Sequence, residues 1–282
     1  MLIFFYILRH FACFSRLICP LFCLNLLFFS LLVTVHFCLF EMNIALACVS
    51  SGNSAALEME INMRIMYNKT AWKLIKQTDG PTASGEHKTG IMVEVTADYP
   101  MVSLISMLAP SPDWFVGISG VNLCNAGMWR DTWNITSLQP WDAGTEDGDM
   151  FNTTNPETSP VQNITLITQD TPGTPFMGAN AIATLGKLMF KRVNKPAVYT
   201  CSGEQKYELK FEGTWSNERQ PVTSFPANAH FSKLIGCTHK YNFKFWSPMT
   251  RASQGVQEVA ESGKLRTLMT SFNMTSILFR MS

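Results

Sequence analysis

The chain has 282 residues, of which 46% are hydrophobic and 15% charged, with 22 Lys and Arg against 21 Asp and Glu. A net charge of +1 argues against a protein that binds nucleic acid, which needs an excess of cations to displace counterions from phosphate. The mixed polarity beyond residue 40 argues against a disordered, collagen-like or multi-span membrane chain.

Residues 17–40 contain no Asp, Glu, Lys or Arg; Arg9 and Arg16 precede them and Glu41 follows. At 1.5 Å per residue such a run can cross a bilayer of about 30 Å. Three readings of segment 1–47 stand open. It is a cleaved signal, with Ala45-Leu46-Ala47 as the small-x-small site before Cys48. It is an uncleaved anchor, the only membrane contact expected. Or it is translated non-coding sequence. The first two place the body outside the cytosol, because the positive flank stays inside.

Two further features agree with that compartment. Asn-x-Ser/Thr acceptors occur at Asn68, Asn134, Asn152, Asn163 and Asn273, usable in a secretory lumen on exposed loops. The eight cysteines include Cys13, Cys19, Cys23 and Cys38 in the N-terminal segment and Cys48, Cys124, Cys201 and Cys237 in the body. The body has no C-x-x-C pair, which argues against a zinc ribbon or a thioredoxin-like site, and one or two disulfides are expected.

The body reads as short strands. Strands are predicted at 91–97, 101–108, 114–118, 161–168 and 207–213, the last with Tyr207, Leu209 and Phe211 on one face and Glu208, Lys210 and Glu212 on the other. A helix is predicted at 251–262 from the stripe of Ala252, Val256, Val259 and Ala260, stopped by Gly263. Short strands with Pro-, Gly- and Asn-rich loops and few helices point to an antiparallel β-sandwich. Loop 139–154, long and acidic, is the expected place for function.

The chain contains no G-x-S-x-G, H-E-x-x-H, Walker or G-x-G-x-x-G motif, so an enzyme is not expected. Cys237 and His239, with His230 nearby, form a weak metal corner for which packing is the simpler reading. The acidic stretch holding Asp142, Glu146, Asp147 and Asp149, with Asp113 29 residues before Asp142, suits a hard cation such as calcium. Gly144 and Gly148 let that loop curl. An EF-hand is excluded, because Gly144 occupies the second ligand position and the hinge glycine is misplaced. A solvated turn is the plainer reading of four acids beside two glycines.

Longer motifs add a resemblance. Residues 107–118 (M-L-A-P-S-P-D-W-F-V-G-I), 122–124 (N-L-C) and 140–145 (P-W-D-A-G-T) resemble the second half of a spondin domain, the family typified by F-spondin and mindin. Residues 207–216 (Y-E-L-K-F-E-G-T-W-S), 226–232 (P-A-N-A-H-F-S), 234–236 (L-I-G), 238–239 (T-H) and 252–256 (A-S-Q-G-V) resemble its first half. Together the two matches cover roughly 88–195 and 198–272, in inverted order. The chain is therefore divided into 1–47, then 48–195 as the C-terminal part of one domain, then 196–282 as the N-terminal part of a second. The alternative is that both parts fold together as one circularly permuted sandwich.

The resemblance implies an all-β, C2-like antiparallel β-sandwich with a short helix. It implies one Ca2+ ion on Asp113, Asp142 and Glu146, the third position usually being Asp, with Asp147 as a substitute ligand. It implies a disulfide for Cys124, and Cys201 is its partner if the halves fold together. By the same resemblance the protein is a secreted matrix or cell-adhesion molecule that binds cell-surface receptors or matrix glycans. Lys233, Lys240, Lys244 and Arg251 are scattered positives that could touch anionic glycans, with a solvated surface as the plainer reading. The alternative class is a secreted hydrolase using the acids of the 142–149 loop, although paired carboxylates for glycoside hydrolysis normally face each other across a cleft.

Overall fold

The computed structural model describes residues 55–78, 84–152, 154–176, 181–193, 200–222 and 224–261. The leader, anchor and cleavage readings of 1–47, together with Cys48 and Asn273, lie outside the described residues.

In chain order the elements are α1 (Ala55–Met63), running into a π-helical turn (Arg64–Asn68), then β1 (Ala71–Lys76), β2 (Lys88–Thr96), β3 (Met101–Ala109) and β4 (Trp114–Asn122). A small ribbon follows, β5 (Cys124–Asn125) and β6 (Met128–Trp129), then β7 (Thr132–Leu138), β8 (Trp141–Asp142) and β9 (Thr165–Leu166). The remainder is β10 (Gly186–Arg192), β11 (Glu204–Gly213), β12 (His230–Phe231), β13 (Ile235–His239) and α2 (Gln254–Ala260).

Two antiparallel sheets form the sandwich. The first runs β1-β13-β3-β4-β8-β9 with β12 also on β3, and the second runs β2-β11-β10-β7. Their facing sides share one core: Val102, Leu104, Leu108 and Val116 from the first sheet meet Val93, Leu188, Phe190 and Leu209 from the second. The second sheet alternates, most cleanly in β10, where every other residue is buried, because its other face meets water. The first sheet is covered on both faces. Its outer side packs Ile105, Phe115 and Ile235 against Leu57 and Ile61 of α1 and Val256 and Val259 of α2. That is why β13 is buried at every position.

Strands from 48–195 and from 196–282 are interleaved in both sheets. β11 lies between β2 and β10, and β13 lies between β1 and β3. Cys124 and Cys201 add a covalent link between the two stretches, with Cα atoms 6.0 Å apart. Each stretch alone would leave sheet edges unpaired and apolar faces open.

The strand expected at 161–168 shrinks to Thr165–Leu166. Its backbone is otherwise engaged by loops: Gln162 N donates to Gly144 O at 2.8 Å, Ile164 N to Thr250 O at 2.8 Å and Ile167 N to Pro140 O at 3.0 Å. The helix expected at 251–262 spans Gln254–Ala260, because Ser253 is its N-cap and accepts from Val256 N with its side chain. The second helix, α1, was not anticipated from the sequence.

Candidate metal centre

The β3–β4 turn sets the position of Asp113. Buried Ser111 donates through Oγ to Leu108 O at 2.5 Å and accepts from Trp114 N at 3.2 Å. This closes the turn and puts Asp113 directly before β4. Strand register then pairs Trp114 with Asp142, and Ala143 N donates to Asp113 O at 3.2 Å. Two carboxylates 29 positions apart in sequence thus stand side by side at one rim of the first sheet.

The loop after β8 folds back over Asp113. Asp113 Oδ2 accepts from Thr145 N at 2.6 Å, Thr145 Oγ1 at 3.1 Å and Glu146 N at 3.1 Å. Gly144 has φ of +75°, a backbone state that costs glycine nothing. Gly148 lies so close to Pro112 that a Cβ would come within 2.7 Å of its ring. Farther along, Phe151 anchors the loop edge-on against Trp114 and Phe176, with ring centroids 5.6 and 5.8 Å away. The expected polar loop is therefore partly core: Ala143, Thr145, Glu146 and Phe151 are buried, and Asp147, Gly148 and Asp149 are exposed. The solvated-turn reading holds for the tip of the loop alone.

Asp113 is 0% exposed, and its Oδ1 has no hydrogen-bond partner among the described residues. Burial, and next the charge of Asp142, push its carboxyl up to about 7, against the pull of its three hydrogen bonds. Asp142 is also raised, first by burial, although Gly144 N donates to its Oδ1 at 2.7 Å. Asp113 therefore lacks, at Oδ1, part of the compensation that a buried charge requires, while half-buried Asp142 is held by Gly144 N and the Trp114 side chain. A divalent cation bound there would supply it, since an orphaned carboxylate oxygen is a donor fit for a hard ion.

Glu146 is placed differently. Its Oε2 accepts from Asn155 Nδ2 at 3.3 Å, and it lines an open groove of ≈ 630 Å³ together with Asp142, Asp147 and Asp149. Among the described residues no group of three or more His, Cys, Asp or Glu side chains is arranged to hold a metal ion together. The fold brings Asp113 and Asp142 together, and Glu146 remains engaged with Asn155.

The other singled-out residues have plainer surroundings. His239 Nε2 meets Ser103 Oγ at 2.8 Å and Nδ1 meets Lys240 O at 2.8 Å, while His230 Nδ1 meets Asn228 O at 2.7 Å. Cys237 is a buried free thiol, pushed up to about 12 by burial. Asn68, Asn134, Asn152 and Asn163 are all exposed, and Asn152 lines the acidic groove. Among the described residues no helix is long and apolar enough to cross a membrane.

An antiparallel sandwich with helices on one sheet and a carboxylate pair at its rim defines the class of the domain. The Spondin_N family model matches residues 43–180 and 205–278, and the chain belongs to the spondin domain family. Two stretches of its curated relatives illustrate the likeness: Spondin-2 of Rattus norvegicus is 33% identical over 40% of this chain, and Spondin-2 of Homo sapiens is 38% identical over 33% of it. Spondin-1 of Gallus gallus is 33% identical over 33% of the chain. The matched regions span 35%, 28% and 12% of those three relatives.

Proposed function

We propose that this chain is a secreted, calcium-dependent recognition module of the extracellular matrix, engaging cell-surface receptors or matrix glycans rather than performing catalysis. The observation that carries the reading is Asp113 Oδ1, a carboxylate oxygen buried without a partner beside a second raised carboxylate, Asp142. Asp113 and Asp142 hold the ion, and Glu146 joins as the third carboxylate by exchanging Asn155 for it. Backbone carbonyls and water complete the six to eight oxygens that calcium takes.

The ion's role is structural. It neutralises the carboxylate pair and fixes the loop after β8 on the β3–β4 turn, so the rim presents one surface to a partner. Membership of the family, together with relatives named as spondins, supports the matrix and adhesion setting. The test is calcium titration of the purified chain, read by its melting temperature. Binding raises the midpoint by mass action; a midpoint unmoved at millimolar calcium sinks the metal reading.

A further inference from the structure

The outer face of the second sheet carries a groove unrelated to the acidic rim. Strand register places Gly90, Lys210, Met189 and Asn134 in one row across β2, β11, β10 and β7. At an interstrand spacing of about 4.8 Å this row is about 14 Å long. A groove of ≈ 560 Å³ follows it, lined by all four of these residues and by Thr136. Its floor holds an exposed thioether, Met189, at 45% exposure. At Gly90 a Cβ would meet nothing closer than Leu209 O at 4.0 Å, so the missing side chain answers no crowding in the fold and leaves open space.

Asn134 and Thr136 are the two recognition residues of the acceptor Asn134-Ile135-Thr136. Both are exposed, as is usual for alternate residues on the water-facing side of a sheet. They stand on β7, an edge strand paired on one side only. We propose that Asn134 carries an N-linked oligosaccharide whose first sugars lie in this groove, over Met189 and toward Gly90. The inference rests on the secretory reading above.

The transfer needs a lipid-linked diphosphate oligosaccharide as donor. Asn134 Nδ2 gives one proton to a base of the transferring enzyme and forms a bond to the anomeric carbon. The bond from that carbon to the diphosphate oxygen breaks, and the lipid diphosphate leaves with the electron pair. No oxidation is involved. The apolar face of a sugar ring covers Met189, and its hydroxyls meet Lys210 within the row and the charged groups beside it, Lys187 and Glu208. The attached glycan also shields β7 from pairing with another chain, a hazard of open edges. Asn68 and Asn163 lie outside this groove.

The test expresses the full chain in secreting animal cells, both with its own N-terminus and behind an added cleavable leader. Enzymatic deglycosylation in oxygen-labelled water, which leaves a heavy oxygen on each Asp formed from a glycosylated Asn, followed by peptide mass spectrometry then reads each acceptor. The expected result is occupancy at Asn134 and, in the Asn134→Gln variant, loss of one glycan. Peroxide should also oxidise Met189 at least about threefold faster in that variant, with Met249 as the unchanged internal standard. Occupied acceptors elsewhere with Asn134 bare overturn the inference, as does a Met189 rate indifferent to the variant. A chain bare with its own N-terminus but occupied at Asn134 behind the added leader refutes the secretory reading and leaves the site standing. A chain bare at Asn134 in both forms refutes the site.

Discussion

Glu60 in α1 receives Ser253, 193 residues later, as the N-terminal partner of α2. Its Oε2 accepts from Ser253 Oγ and its Oε1 from Gly255 N, both at 2.7 Å. One carboxylate thus satisfies a helix-end N–H and orients the capping hydroxyl, and its charge suits the positive end of the helix. Glu60→Ala should lower stability by about 1–3 kcal/mol, seen as a drop in denaturant midpoint with unchanged slope. Gly255→Ala should also destabilise, although Ala favours helix, because a Cβ there would meet Leu57 Cα at 2.6 Å. An Ala variant as stable as the parent would show that the two helices are not held this closely.

Asp113→Asn should separate charge from shape at the rim. The amide oxygen keeps the acceptor role toward Thr145 and Glu146, and the negative charge disappears. Because burial raises this carboxyl to about 7, its ionised form opposes folding above that pH when no cation is present. At pH 8 without calcium the variant should melt at or above the parent temperature. With calcium at about a hundred times its Kd the parent should gain about 5–10 °C, and the variant should gain far less. Equal gains in both proteins would remove Asp113 from the ligand set.

The Cys124–Cys201 bridge closes a separation of 77 residues. A loop of that length restricts the unfolded chain enough for up to about 4–5 kcal/mol of stabilisation. Replacing both cysteines by Ala should lower the unfolding free energy by that amount and make the protein indifferent to reductant. Residual sensitivity to reductant would point to a different pairing.

His239 gives a pH dependence of known sign. Lys240 O can only accept, so Nδ1 carries the proton and Nε2 accepts from Ser103, whose oxygen in turn receives Gly120 N at 2.7 Å. Burial holds the imidazole below its ordinary 6.5. The unfolded chain therefore takes up a proton first as pH falls. The stability tied to neutral His239 is complete above the unfolded value and is lost as pH drops through the folded one. Asp113 acts with the opposite sign in calcium-free protein, so the informative quantity is the difference between the parent and His239→Gln. That difference should shrink on acidification from pH 7 to 5, with a slope of at most about 1.4 kcal/mol per pH unit. A difference constant with pH would mean that the ring titrates alike in both states.

What the sequence disclosed depended on which face of each element meets water. β2, β3, β4 and β11 were legible because β-branched and aromatic residues crowd there, and α2 because its stripe and its stop residue are clean. β10 escaped because its alternation is chemically disguised: Met189 points outward and Arg192, paired with Asp131 at 2.6 Å, is buried. β13 escaped for a different reason, since burial on both faces erases the period of two. At the rim, Asp113 and Asp142 were readable through the family resemblance. The backbone cradle of Thr145 and Glu146 around Asp113 was not, because it depends on a loop conformation and not on residue type. The two stretches 48–195 and 196–282 look like separate halves in one dimension, and only strand neighbours reveal their shared sheets.

The interleaving of β11 and β13 among earlier strands has a consequence for how the protein is made. As the polypeptide leaves the ribosome, the second sheet cannot close until β11 has emerged and the first cannot close until β13 has, so β1 and β3 must wait with a bare edge between them. Such dependence on distant pairing slows folding and lengthens the window for misassembly. A nascent chain stalled before residue 230 should accordingly be held by chaperones, whereas one released a few dozen residues later should resist protease.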